Sequence, residues 1–503
     1  MVLILAACMA ACWHYWRGYT LYYGDANAHL AIARRILDSR TPGTFQIGTV
    51  WLPLPHLLML PFVTVDEWWR SGLAGAIPSA ACFVTGGLFL FAAVRRLFSP
   101  AAAWASMLAF ALNPNLLYLQ SAPMTEAPFA ACLMALLYAT VWFQQKGGVA
   151  ALLLAAAASN AASLTRYEGW FLIPFVALFF VRSGGVKWGL AFGGLAAAAP
   201  LSWLAHNMWY YSNPLEFYNG PYSAKAYYAQ GLAAGVARAP GDHDWQQAMV
   251  QFAAAARLCA GYVLAITGLA GATIALLRRV WWPVALLALP GLFYVLSLYS
   301  SGTPIYVPHL WPHSYYNTRY GLAAIPLFAV GIGALVAATP PRWSRYAAAV
   351  LVCAVTAQWI LYPRPGNWVC WRESEVNSVA RRAWTREAAV FLKAHYRPGD
   401  GVFSGFGDQV GVYREAGIAL RDVLHEGNHP AWNAAVARPD LFLREKWALA
   451  LKGDAISAAL KKKHLRGTHY ECVKIVSLPD SPVIEIYRRI HEDSVYQGSR
   501  RKE

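Results

Sequence analysis

The sequence predicts a polytopic α-helical membrane protein with a soluble α/β domain at its C-terminal end. Three observations lead there. Of 503 residues, 57% are hydrophobic and only 14% charged, with a mean hydropathy of +0.34, a balance foreign to a soluble chain of this length. The apolar residues gather into runs approaching the ~20 that cross a hydrocarbon core of about 30 Å. Near residue 362 the composition changes abruptly: the last 142 residues hold 17 of the 26 acids and 23 of the 42 Lys and Arg.

Taken in order, the apolar runs give about eleven expected spans, near 2–16, 76–94, 100–118, 126–143, 149–165, 170–182, 188–207, 252–277, 281–299, 320–339 and 346–361. The first is short, but the bulky Trp13-His14-Tyr15-Trp16-Arg17 that ends it offers no cleavage site, so it reads as a retained helix. One set of loops is short and basic: Arg95-Arg96, Lys146, Arg182 with Lys187, Arg278-Arg279, and Arg342 with Arg345. These loops contain no acid, and the positive-inside rule makes them cytoplasmic. The other side then holds every acid before position 362: Asp25, Asp38, Asp66, Glu67, Glu126, Glu168, Glu216, Asp242 and Asp244. That common sidedness puts the chemistry on the external, periplasmic face of a plasma (inner) membrane, with a cytoplasmic N-terminus. The formal charge of +16 is dispersed through loops and sets topology; it does not mark a nucleic-acid partner.

The expected division is a transmembrane domain over 1–361, with long external loops at 17–75 and 208–251, and an external α/β domain over 362–503. In that domain a helix is expected to start at Thr385 as N-cap and run to His395, and strands at 401–404 and 483–487. Lys461-Lys462-Lys463-His464 reads as a solvated helix end or a lipid-headgroup contact. Cys370 and Cys472 fall in the polar tail and could pair in an oxidising compartment.

The first external loop carries the strongest candidate. Tyr22-Tyr23-Gly24-Asp25 leads a helix whose apolar face falls at Leu30, Ala33, Ile36 and Leu37, with Arg34-Arg35 off that stripe, a pattern suited to the membrane–water interface. Asp25 is either a helix cap or a general base that takes a proton from an attacking hydroxyl. Glu126, in Pro123-Met124-Thr125-Glu126-Ala127-Pro128, either caps a helix or holds an acceptor or a divalent cation. Arg166 in Thr165-Arg166-Tyr167-Glu168 and Arg319 in Asn317-Thr318-Arg319-Tyr320 lie at outer ends of spans, where arginines snorkel or recognise phosphate; an ion pair with Glu168 is a further structural reading for Arg166. Arg257, about two turns inside the eighth span, is a weaker candidate for the same role. His29, His56, Glu168 and Tyr320 are further pocket candidates. His206, His309 and His313 read as wall residues, and Asp408, His425, Glu426 and His429 form a loose cluster with no metal spacing.

These motifs resemble the GT-C fold glycosyltransferases, most of all the protein O-mannosyltransferases and the aminoarabinose transferase of lipid A. The matching features are Gly24-Asp25 before a helix, the Trp51-Leu52-Pro53-Leu54-Pro55 element, Asn113-Pro114 with Glu126, and Arg-Tyr pairs at outer span ends, over roughly residues 1–340. Relatives often carry Asp-Glu where this chain has Asp25-Ala26. The resemblance implies transfer of one sugar, with inversion, from a polyprenyl-phosphate carrier to a protein, lipid or glycan acceptor. Asp25 would be the base, Arg166 and Arg319 the phosphate ligands, and Glu126 the holder of acceptor or metal; a divalent ion is allowed, not required. The residues leave open a transporter or flippase of a lipid-linked glycan, an oligosaccharyltransferase or ligase of the same fold, and a non-catalytic scaffold.

Overall fold

The computed structural model describes residues 1–361, 367–461 and 469–490. By contact the chain divides into two units. The first comprises Met1–Thr20, Thr49–Leu58 and Leu73–Val376, and the second Leu21–Gly48, Met59–Gly72 and Asn377–Glu503. This grouping differs from the linear division at residue 362. Part of the expected external tail, Val369–Val376, belongs with the first unit, and most of the first external loop belongs with the second.

The first unit is helical. Among the described residues six helices are long and apolar enough to cross a membrane: Leu73–Leu97, Glu126–Lys146, Val186–Tyr211, Trp281–Tyr299, Thr318–Ala338 and Ser344–Leu361. A bent pair raises the number to seven, against the eleven expected; the other four expected spans fall on shorter helices, Val2–Trp16, Pro100–Ala111, Val149–Ser163 and Glu168–Gly184. The run expected as one span at 252–277 is two helices, Trp245–Ala260 and Tyr262–Leu277, bent by 111°. Gly261 sits at the break with φ +75°, a left-handed conformation that costs glycine nothing. Small residues let the helices approach closely. A Cβ on Gly331 would lie 2.0 Å from the Gly268 carbonyl oxygen, so Tyr262–Leu277 and Ile325–Ala338 meet backbone to backbone.

The second unit is built on a five-stranded sheet. Its strands are β1 (Val402–Ser404), β2 (Val423–Leu424), β3 (Trp447–Leu451), β4 (His469–Val476) and β5 (Ile484–Ile490), in the order β2-β1-β3-β5-β4. β1 runs parallel to β2 and β3, and β5 runs antiparallel to β3 and β4. Phe403, Leu424, Ala448, Ala450, Ile456 and Tyr487 form a core on this sheet. The helix expected from Thr385 begins earlier, at Val379, and ends at His395. Thr385 is therefore no cap; it lies buried among Trp384, Ala388, Ala389 and Leu392, an apolar stripe at helical spacing. Lys461 pairs with Glu485 at 2.9 Å, while Lys462, Lys463 and His464 lie outside the described residues. All eight cysteines carry thiols, so the Cys370–Cys472 pair is not formed.

Polar bonds tie residues 21–48 into this unit. Asp38 is buried and accepts hydrogen bonds from the Leu420 and Arg421 amides. Gln46 Nε2 donates to the Gly427 carbonyl at 2.9 Å, Asn428 Nδ2 donates to the Ser39 and Thr41 hydroxyls, and Arg40 pairs with Glu445 at 2.6 Å.

Candidate functional site

Asp25 opens the helix Gly24–Leu37 at its second position, with Tyr23 as the N-cap residue. It is thus not the cap, although a carboxylate in a first turn still suits the helix dipole. The start of the helix is held by Asn27 Nδ2, which donates to the carbonyls of Leu21 and Tyr23 at 2.9 and 3.0 Å. Asp25 is half-buried and His29, one turn on, is buried. Leu30, Ala33 and Ile36 are buried as the periodicity predicts, while Leu37 is 49% exposed. The paired arginines face protein acceptors. Arg34 reaches Asp38 at 3.0 Å, the Val63 carbonyl at 2.5 Å and Asp66 at 3.3 Å, and Arg35 reaches the Gln46 carbonyl at 2.5 Å. The apolar face of this helix is thus largely buried, and both arginines are engaged by protein acceptors.

In the first unit, four of the expected residues come together in one buried network. Arg166 lies in the turn between Val149–Ser163 and Glu168–Gly184. A Cβ on Gly169 would meet the Ala162 carbonyl carbon at 2.5 Å, so glycine is what lets that turn close. Glu126 begins the helix Glu126–Lys146. Arg319 comes from the 3-10 turn Thr318–Ala324 that leads Ile325–Ala338.

One oxygen of Glu126, Oε1, accepts from Arg166 Nη1 at 3.3 Å and from Arg319 Nε at 3.2 Å. Its other oxygen, Oε2, is buried with no hydrogen-bond partner among the described residues. Arg166 also donates to Glu168 at 2.7 Å, to Thr125 Oγ1 at 2.6 Å and to the Tyr294 hydroxyl at 2.6 Å. Tyr294 in turn donates to Glu168. Arg319 donates through its amide and Nη1 to Glu373, both at 3.2 Å. The Tyr320 ring stacks on Tyr294 at 4.7 Å and lies 5.0 Å from both guanidiniums.

These side chains line a cavity of about 40 Å³. That is water-molecule scale, so a sugar phosphate enters only if side chains move. Formally two guanidiniums face three carboxylates, leaving one negative charge in excess. Such a network survives burial only because each charge is paired and hydrogen-bonded.

Two members were missed in the sequence. Glu373 lies in the acid-rich stretch after residue 362, where nothing distinguishes it from its neighbours. Tyr294 did leave a signal, a hydroxyl inside an otherwise apolar span. His56 is fully buried. Arg257 is not deep within a span: it occupies the last turn of Trp245–Ala260, 4.7 Å from the Tyr262 ring and 2.9 Å from His309 Nε2. His206 stacks on Trp203 at 4.6 Å, and His313 Nδ1 lies 3.3 Å from the Pro308 carbonyl. Glu426 accepts the Phe406 amide. Among the described residues no three His, Cys, Asp or Glu side chains are grouped to hold a metal ion.

Residues 69–209 match the family described as dolichyl-phosphate-mannose-protein mannosyltransferase. That segment, less than a third of the chain, contains Glu126, Arg166 and Glu168 but not Asp25 or Arg319. Among curated proteins, none matches the chain by sequence. ArnT from Cupriavidus metallidurans in the apo state is similar in structure, with a TM-score of 0.55, 13% identity and 97% of both chains covered. The same protein bound to undecaprenyl phosphate gives 0.50 and 12%, covering 95% of this chain and 97% of that one. An oligosaccharyltransferase from Archaeoglobus fulgidus in the apo form gives 0.48 and 12%, covering 90% and 69%. The chain is a multi-pass membrane protein, and its fold is the GT-C fold of membrane glycosyltransferases.

Proposed function

We propose that the chain is a membrane glycosyltransferase that moves one sugar from a polyprenyl-phosphate carrier to a protein, lipid or glycan acceptor at the external face of the inner membrane. The observation that carries this reading is the buried convergence of Arg166 and Arg319 on a single oxygen of Glu126. It occurs in a fold shared with a protein solved with undecaprenyl phosphate. Guanidiniums that meet on one carboxylate oxygen are spaced to meet on one phosphate oxygen.

In this reading the acceptor oxygen attacks the anomeric carbon, and its proton passes to the Asp25 carboxylate. The bond from that carbon to the phosphate oxygen breaks, and its electron pair stays on the phosphate, where Arg166 and Arg319 stabilise it. One displacement inverts the anomeric centre. Glu126 Oε2, buried and short of a donor, accepts a hydrogen bond from an incoming hydroxyl. Glu168 and Tyr320 hold the Arg166 guanidinium in place, and His29 and His56 are walls. A transporter or flippase reading has no comparable support, since the acids of this network lie at helix ends and not at the centres of spans.

The test is sugar transfer by full-length protein in proteoliposomes supplied with several prenyl-phosphate sugars, read by mass analysis. Asp25→Asn is expected to lose about 10²–10⁴-fold of the rate with unchanged expression and melting. Wild-type turnover from that variant removes Asp25 from the mechanism.

A further inference from the structure

The second unit holds another group of arginines, for which the mechanism above has no task. Arg381, Arg382 and Arg414 line one cleft with Asn27, Thr385, Asp408 and Glu415. Arg381 donates to the Tyr22 carbonyl, and its Nη1 would lie 2.6 Å from a Cβ placed on Gly24. A glycine at 24 is therefore what admits this guanidinium against the backbone, one residue before Asp25. Arg382 covers the Tyr22 ring at 3.9 Å and donates through Nε to Ser378 Oγ at 3.0 Å. Arg414 donates through Nη1 to the Arg70 carbonyl at 2.6 Å. Its Nε is buried with no hydrogen-bond partner among the described residues.

Charge separates this cleft from the Glu126 network. Asp408 lies 3.7 Å from Arg381 and is 60% exposed, and Glu415 lies 3.7 Å from Arg414 and is 36% exposed. Ion pairs that long and that wet contribute little. The lining of this cleft carries three guanidiniums and two carboxylates, one positive charge in excess, whereas Arg166 and Arg319 face three carboxylates, one negative charge in excess. Burial, opposed by Glu415 and reinforced by Arg381 and Arg70, holds Arg414 down to about 10. The enclosed part of the cleft, about 20 Å³, takes one oxygen-sized atom, so an anion enters with one oxygen inward and the rest at the mouth.

We propose that the Arg381–Arg382–Arg414 cleft is an oxyanion-binding subsite for a phosphate group. Planar guanidiniums offer paired donors in the fork that such a group accepts. Assigning that phosphate to the acceptor rests on the role given to Asp25; oxyanion binding itself does not.

The experiment titrates inorganic phosphate into full-length protein in phosphatidylcholine nanodiscs, followed by calorimetry. Saturable binding that weakens as chloride rises is expected, reduced about tenfold or more in the Arg381→Gln/Arg382→Gln double variant. Arg382→Lys, which keeps the charge, is expected to fall between the two. Melting curves of each variant separate lost binding from lost folding, and a double variant that does not fold is replaced by Arg382→Gln alone. No saturable binding to the wild type, or undiminished binding to a folded variant, overturns the subsite. Displacement of phosphate by phosphatidic acid doped into the discs assigns the group to a lipid headgroup. Failure of that lipid to compete assigns it to a soluble molecule, and both outcomes support the subsite. Full sugar transfer by Asp25→Asn would remove the acceptor assignment and leave the anion site standing.

Discussion

Glu126→Gln tests the phosphate assignment more sharply than any change to the arginines themselves. In the closed network Glu126 Oε1 sits between Arg166 at 3.3 Å and Arg319 at 3.2 Å, the place a phosphate oxygen would take. A phosphate arriving there meets a negative charge already in residence. At about 5 Å and an effective dielectric constant of about 20, two unit charges repel by roughly 3 kcal/mol. Glutamine keeps an oxygen for both guanidiniums and removes the charge. If about half of that repulsion survives relaxation, the KM for the prenyl-phosphate sugar drops about tenfold. The assay is initial rate against donor concentration in proteoliposomes, with a melting curve of the same preparation. A donor KM that rises or stays level in a normally folded protein would refute the idea that the phosphate binds between Arg166 and Arg319.

Arg319→Ala removes one of the two guanidiniums on Glu126 and the guanidinium that pairs with Glu373, leaving the buried carboxylates less compensated; a loss of about 3–5 kcal/mol is expected in denaturant or thermal melts, and an unshifted melt would mean the network is open to water. Gly331→Ala puts a Cβ 2.0 Å from the Gly268 carbonyl oxygen, so the two helices must separate at a cost of about 1–3 kcal/mol, seen as a lower melting temperature. His425 is held well below the usual histidine range by its burial, with Arg35, Arg40 and His429 adding repulsion. The folded second unit therefore binds fewer protons than the unfolded chain below about pH 6.5, and its stability falls as pH drops through that value. Hydrogen-exchange protection factors of residues 38–48, taken relative to intrinsic rates at each pH, should fall from pH 7 to pH 5, and protection that stays level would contradict the assignment.

What was legible in the sequence was mostly local. Gly24-Asp25 opens a helix because the apolar positions after it repeat at helical spacing and Asn27 can turn back on the Leu21 and Tyr23 carbonyls. Glu126, Arg166 and Arg319 could be singled out because charges beside apolar runs are costly and few. Their convergence was not legible, since it depends on close approaches such as Gly321 against Ala255, where an added Cβ would meet the carbonyl oxygen at 2.3 Å. The break at Gly261 was hidden because a lone glycine in an apolar run is ordinary in membrane helices. Glu373 and the bonding of residues 21–48 to residues 420–445 join positions far apart in the chain, beyond any periodic signal.

That last feature orders events during synthesis. Asp38, Arg40 and Gln46 leave the ribosome almost four hundred residues before their partners Leu420, Glu445 and Gly427. Until those residues emerge, the segment bearing Asp25 lacks the bonds that positions 420–445 supply. A product truncated before residue 420 would carry the long apolar helices without them. Under the role proposed for Asp25, such a product is expected to be inactive.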